Sequence, residues 1–202
     1  MSSYKLTYFN ARGRAEVIRL IFAKAGVDYE DNRVVKEVWP SLKEGTPFGQ
    51  LPVLEVDGTV LFQSIAISRF LAKRFGLYGN TEFEESQIDA ICLSMEDFLK
   101  PLERFYHEQN VDAKTALKDK YEKDDLPRFM KCLKKLLGGK NVFVGNSITI
   151  ADIYFAHYCT MPENCGIAID WGSYPELKAV KENVENDDKI AAWLKSRPQT
   201  QH

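Results

Sequence analysis

The hydrophobic period of this chain changes once, near residue 79, and that change limits the folds open to it. Before it, short strand-like runs are interleaved with helical stripes; after it only helical stripes occur. Residues 5–9 read as a strand, followed by a polar turn from Asn10 to Gly13. Ile18, Ile21, Phe22 and Ala25 then keep helical spacing until Gly26 ends the helix. Residues 28–35 read as a second strand, and residues 53–56 and 60–62 as a hairpin about Asp57-Gly58, a pair suited to a type I′ turn. Ser64 is expected to cap a further helix, with Ile67, Phe70, Leu71 and Phe75 on its inner face and Gly76 at its end. The order β-α-β-loop-β-β-α implies a compact α/β unit with a mixed sheet.

The break at Leu77-Tyr78-Gly79-Asn80-Thr81 divides the chain into a first domain at 1–79, a linker at 80–82 and an all-α domain at 83–202. In the second domain Ile88, Ile91, Cys92, Met95, Leu99 and Leu102 make one long stripe. Leu126, Phe129, Met130, Leu133, Leu136 and Leu137 make another, ended by Gly138-Gly139. Pro127 at the head of the second stripe predicts a kink or a restart. Thr149 and Asp152 have the spacing of a capping box, with Ile148 and Ile153 placed as a hydrophobic staple. Two short helices, around 177–184 and 190–194, complete the pattern.

A chain of 202 residues is long enough for two small domains, and 45% hydrophobic residues supply their cores. A formal net charge of -2 gives no basic excess for nucleic acid or anionic lipid. The N-terminus has no signal-peptide pattern, and no run approaches the ~18 apolar residues of a spanning helix. The four cysteines (Cys92, Cys132, Cys159 and Cys165) form no C-x-x-C pair and have no histidine at ligand spacing. They are expected to be mostly buried thiols in a cytosolic protein.

Three clusters in the first half can carry chemistry: Tyr8 with Arg12 and Arg14, Gln50-Leu51-Pro52-Val53, and Gln63-Ser64. Singly, each reads as packing, turn and cap. Together they suit a short, doubly acidic peptide. An extended Leu51 before a cis Pro52 offers its backbone to a bound peptide. Ser64 at a helix N-terminus suits one carboxylate. Trp39, Lys43 and Arg14 supply a planar wall and cations for the other.

With these residues in view, the chain resembles the sigma-class glutathione transferases over its whole length, and among them the vertebrate glutathione-dependent (haematopoietic-type) prostaglandin D synthases. The resemblance rests on Tyr4 to Asn10, Arg12-Gly13-Arg14-Ala15-Glu16, Trp39-Pro40, Pro47-Phe48-Gly49, Pro52 to Gly58, Gln63-Ser64, Gly145-Asn146-Ser147 and Arg197-Pro198-Gln199-Thr200. It implies a thioredoxin-like domain, an all-helical domain and a homodimer. It also implies that Tyr8 is catalytic and that glutathione, the co-substrate, is held by Tyr8, Arg14, Trp39, Lys43, Gly49, Gln50, Leu51, Pro52, Gln63 and Ser64, with Asp97 reaching in from the partner subunit. A free thiol of pKa ~8.5 is only a few per cent ionised at neutral pH, so a hydroxyl donating to sulfur is a direct route to the nucleophile. The turn after the first strand carries no cysteine, which argues against thioredoxin-like redox chemistry.

For the electrophile, the resemblance implies a pocket of Phe9, Gly13, Glu96, Leu99, Arg104, Tyr154 and Tyr158. Three positions depart from the prostaglandin synthases: Arg104 stands where they have tryptophan, Gln201 where they have lysine, and Leu93 where they have a metal-binding carboxylate. The expectation is therefore conjugation of hydrophobic electrophiles without a metal, as in detoxification. Isomerisation of prostaglandin H2 to D2 comes second. A non-catalytic carrier or crystallin-like protein comes third, because Tyr8, Arg14, Gln63 and Ser64 are all present. No nucleic-acid or membrane partner is expected.

Overall fold

The computed structural model describes residues 2–200. They divide into two compact units, residues 2–78 with 187–200 and residues 79–186. The segment from 187 onward, read from sequence as part of the helical domain, thus clusters with the α/β unit.

The first unit runs β1 (Tyr4–Phe9), a 3-10 turn (Gly13–Ala15), α1 (Glu16–Ala25), β2 (Glu30–Val34), α2 (Trp39–Lys43), β3 (Val53–Val56), β4 (Thr59–Phe62) and α3 (Ser64–Phe75). The sheet order is β2-β1-β3-β4, with β1 and β2 parallel and the other pairs antiparallel. Asp57 (φ 49°) and Gly58 (φ 82°) are both left-handed, as the expected hairpin turn requires. Leu6 pairs with Leu54 across the sheet, and both are fully buried with Ile18, Ile21 and Phe22 of α1 and Ile67 and Leu71 of α3. Each such side chain contributes about 1.5–3 kcal/mol of burial, so truncating Leu6 to alanine would cost about 2–5 kcal/mol.

One expected cap is corrected. Ser64 is the first residue of α3, and the N-cap is Gln63, at φ 73° and with no side-chain capping bond. The cap rule places a hydroxyl one residue before the helix; here the left-handed turn at Gln63 moves Ser64 inside.

The second unit begins with α4 (Glu82–His107), capped by the Thr81 hydroxyl on the Glu84 N–H, with Glu82, Glu84 and Glu85 at the positive end of its dipole. Next come α5 (Val111–Lys120), a π turn (Tyr121–Asp125) and α6 (Leu126–Leu137). Pro127 lies in the first turn of α6, so the restart is what occurs. α7 (Ile150–Tyr158) is buried along its whole length. Its capping box is formed: Asp152 accepts from the Thr149 N–H at 2.8 Å and also from the Phe143 N–H at 2.8 Å. α8 (Thr160–Asn164) and α9 (Pro175–Glu185) follow, and α10 (Asp188–Ser196) returns to pack on α1 in the first unit.

The expectation of mostly buried thiols holds for Cys92 and Cys159 only. Cys132 is exposed and Cys165 half-buried. Cys132 sits on the polar face of α6, which its apolar stripe leaves to solvent. Among the described residues no helix is long and apolar enough to cross a membrane.

Candidate functional site

The sheet register assembles the site. Thr7 pairs with Val53 and Val53 with Phe62, so Tyr8, Pro52 and Gln63 emerge at one end of the sheet. A cavity of about 490 Å³ opens there, lined by Tyr8, Phe9, Arg14, Trp39, Phe48, Gly49, Gln50, Leu51, Pro52, Phe62, Gln63 and Ser64. The Leu51-Pro52 bond is cis. The volume is that of a small-molecule site with several converging polar groups.

Tyr8 is held from two sides. Its phenolic oxygen accepts the Arg14 backbone N–H at 3.3 Å, and its ring meets Phe9 edge-on at 5.6 Å. Gly13, at φ 40°, allows the close approach: a Cβ there would stand 2.6 Å from the Tyr8 oxygen. The resemblance placed Gly13 beside the electrophile; here it bears on the tyrosine hydroxyl itself.

Trp39 and Lys43 come from α2, which pattern reading left as a loop because it spans only Trp39–Lys43. Trp39 stands edge-on to Phe9 at 5.5 Å. Lys43 lies along Gly49, its Cε 3.1 Å from where a Cβ would be, and so edges the cavity rather than lining it. Ser64 is buried at the N-terminus of α3, where first-turn N–H groups have no intrahelical acceptor. Gln63 takes a backbone conformation rare for residues with side chains and forms part of the cavity wall.

Two aromatic walls, Phe48 and Phe62, were missed by the sequence-derived glutathione set. Their rings lie 5.1 Å apart, and Phe48 is 68% exposed. A large apolar residue left in water beside Gly49 is a signal that the Pro47-Phe48-Gly49 motif carried unread.

The other expected residues lie in the helical unit. Tyr158 donates its hydroxyl to Glu96, and Tyr154 meets Tyr158 edge-on at 5.3 Å. Leu99 is a core residue at 1% exposure. Asp97 pairs with Lys100 at 2.6 Å. Asp97 and Arg104 line a separate groove of about 390 Å³ with Lys100, Pro101, Leu117, Lys120 and Asp125, which contains neither tyrosine. Leu93 is exposed on α4. Gln201 lies outside the described residues. Among those described, no three histidine, cysteine, aspartate or glutamate residues cluster as a metal site would require.

Two family profiles match the chain, "Glutathione S-transferase, N-terminal domain" over residues 4–73 and "Glutathione S-transferase, C-terminal domain" over residues 96–197. Haematopoietic prostaglandin D synthase of Gallus gallus is 42% identical over 200 residues, covering 99% of each chain. "Probable glutathione S-transferase 5" of Caenorhabditis elegans is 42% identical over 212 residues, again covering 99% of each. Among solved structures, monomeric Na-GST-3, a glutathione S-transferase of the hookworm Necator americanus, superposes with a TM-score of 0.90 at 37% identity, over 99% of this chain and 100% of that one. The chain belongs to the glutathione S-transferase family. A thioredoxin-like α/β domain followed by a helical domain is that family's architecture, and glutathione is its co-substrate.

Proposed function

We propose that this protein binds glutathione in the Tyr8 cavity and activates its thiol for attack on hydrophobic electrophiles. The observation that carries the reading is the pairing, in one cavity, of a tyrosine hydroxyl with a helix N-terminus. Tyr8 has its oxygen fixed in place by the Arg14 N–H at the cavity wall. Ser64 opens α3 and lines the same cavity. An acidic tripeptide anchored by a carboxylate at Ser64 carries its thiol toward Tyr8. A hydrogen bond to sulfur favours the thiolate, and each unit by which the thiol pKa falls corresponds to about 1.4 kcal/mol. Arg14 and Trp39, with Lys43 at the rim, serve the remaining carboxylate, and Gln50, Leu51 and Gln63 the peptide groups.

Further parts of the proposal are a cytoplasmic location and a homodimer in which Asp97 serves the glutathione of the second copy. For the electrophile, general conjugation is the first reading. The avian relative's name favours prostaglandin H2 to D2 isomerisation as the second. Arg104 separates the two, because a guanidinium replaces the flat apolar wall that a prostaglandin synthase sets there.

The deciding experiment is retention on immobilised glutathione together with turnover of a chlorodinitrobenzene-type substrate, alongside a product assay with prostaglandin H2. Binding and conjugation support the reading. Retention without turnover of any electrophile turns it into a carrier.

A further inference from the structure

Against the Tyr8 ring lies a buried ion cluster none of whose members lines the cavity. Arg19 of α1 is fully buried, with its guanidinium carbon 5.9 Å from the centre of the Tyr8 ring. Its Nε donates to Asp31 at 3.1 Å, and its Nη1 to Ala11 O at 2.7 Å and to Glu16 at 3.2 Å. Its Nη2 is buried with no hydrogen-bond partner among the described residues.

The cluster extends in two directions. On β2, Arg33 shares Asp31 at 2.8 Å. From the C-terminal segment, Arg197 at 2.8 Å and the Trp193 indole N–H at 2.9 Å both reach Glu16. Arg12 faces Arg197 and Glu16, and burial together with Arg197 lowers its pKa. Tyr29, whose phenol is pushed up by burial, faces Asp31 and stays neutral. Among the described residues, four guanidiniums (Arg12, Arg19, Arg33 and Arg197) therefore stand around two carboxylates, Glu16 and Asp31.

A buried ion pair needs only one cation per carboxylate to be neutral. Among the described residues the excess is positive, and its most buried member faces the ring of Tyr8. A cation over an aromatic face is attracted to it, and the attraction grows as the ring takes on negative charge. A tyrosine that shares its proton with a thiolate takes on such charge.

We propose that Arg19 is a positioning residue for the reaction: its guanidinium fixes the Tyr8 ring and strengthens the hydroxyl as a donor to the glutathione thiolate, with Glu16 setting how much of its charge is felt. The inference rests on the reading of Tyr8 as thiol activator. A purely structural Arg19, tying β2 and the Ala11 turn to α1, lowers stability when removed but leaves the acidity of bound thiol where it was.

The pH dependence of kcat/KM separates these roles. Arg19→Met is expected to move the rising limb up by about one pH unit, an approximately tenfold loss at neutral pH. Arg19→Lys is expected to return most of it. Glu16→Gln keeps an acceptor for Trp193 and Arg197 but removes the charge beside Arg19, and should move the limb down. In a Tyr8→Phe background neither substitution should move it. Should Arg19→Met fail to fold, Glu16→Gln decides alone. An unmoved limb in Glu16→Gln, or in folded Arg19→Met, overturns the inference; so does a shift that survives in Tyr8→Phe. If Tyr8→Phe itself retains full activity, the tyrosine mechanism has failed instead.

Discussion

The backbone N–H of Arg14 donates to the phenolic oxygen of Tyr8 at 3.3 Å, a bond in which the hydroxyl is the acceptor. In the proposed mechanism the same hydroxyl donates to the glutathione sulfur. Tyr8→Phe removes that donor while keeping the ring against Phe9. We expect kcat to fall about 10²-fold, with KM for glutathione changed less than about twofold. Steady-state conjugation kinetics check this, and unchanged kcat would sink the tyrosine mechanism.

Gly13 gives an independent test of the same hydroxyl. A methyl group there would stand 2.6 Å from the Tyr8 oxygen, on backbone at φ 40°. The tyrosine must swing away or the turn must open, either of which loses the Arg14 bond. A displacement of about 1 Å at a reacting group costs about 10²-fold, so Gly13→Ala should lose activity comparably to Tyr8→Phe. Combining the two should cost little more than either alone, because they act on one group. Additive losses would show that Gly13 acts elsewhere, as at the electrophile.

Much of this was legible because the determinants are local. The strand-turn-helix order follows from period, Gly26, Gly76 and Gly138 mark helix ends at φ 69°, 70° and 59°, and the Thr149–Asp152 box needs only a spacing of three. The 3-10 turn, α2, α5 and α8 were not legible. α5 buries no residue and so carries no apolar stripe, and α2 and α8 are single turns. Within the site, Tyr8, Leu51-Pro52 and Ser64 were readable as a set, since strand ends bring them together. Arg19 was not, because a charged residue in an amphipathic helix reads as solvent-facing until Glu16, Asp31 and Arg197 are seen around it. Its partners are Ala11 O in the turn, Glu16 one turn back on α1 and Asp31 on β2, and the C-terminal segment joins only through Glu16, a relationship with no sequence period.

Asp97 tests the proposed dimer. Its side chain is 72% exposed and pairs with Lys100 of its own helix, three residues on. Such a surface pair is worth under about 1 kcal/mol, so removing it should leave the fold unharmed. If the second copy's glutathione uses Asp97, Asp97→Ala raises KM for glutathione several-fold at unchanged kcat, and sedimentation finds a dimer. A monomer, as the hookworm relative's description states for that protein, or an unchanged KM in a dimeric variant, removes Asp97 from the site.

Asp187 links stability to pH. It caps α10 by accepting the Ile190 N–H at 3.3 Å and pairs with Lys24 of α1. Burial pushes its carboxyl up, but the Lys24 and Ile190 donors outweigh this and hold it below the ordinary value of 3.8. A carboxyl whose pKa is depressed in the folded state holds its proton more tightly in the unfolded chain, so its contribution to stability is complete above the unfolded value and is lost as pH falls through the folded one. Asp187→Asn keeps a capping oxygen but loses the charge on Lys24. At neutral pH it should cost about 0.5–1 kcal/mol, a fall of roughly 2–4 °C or less in the thermal midpoint. The gap from the parent should close as pH drops below 3.8. Thermal melts of the two proteins across that range check this, and a gap that persists in acid would assign the loss to the altered cap and not to the ion pair.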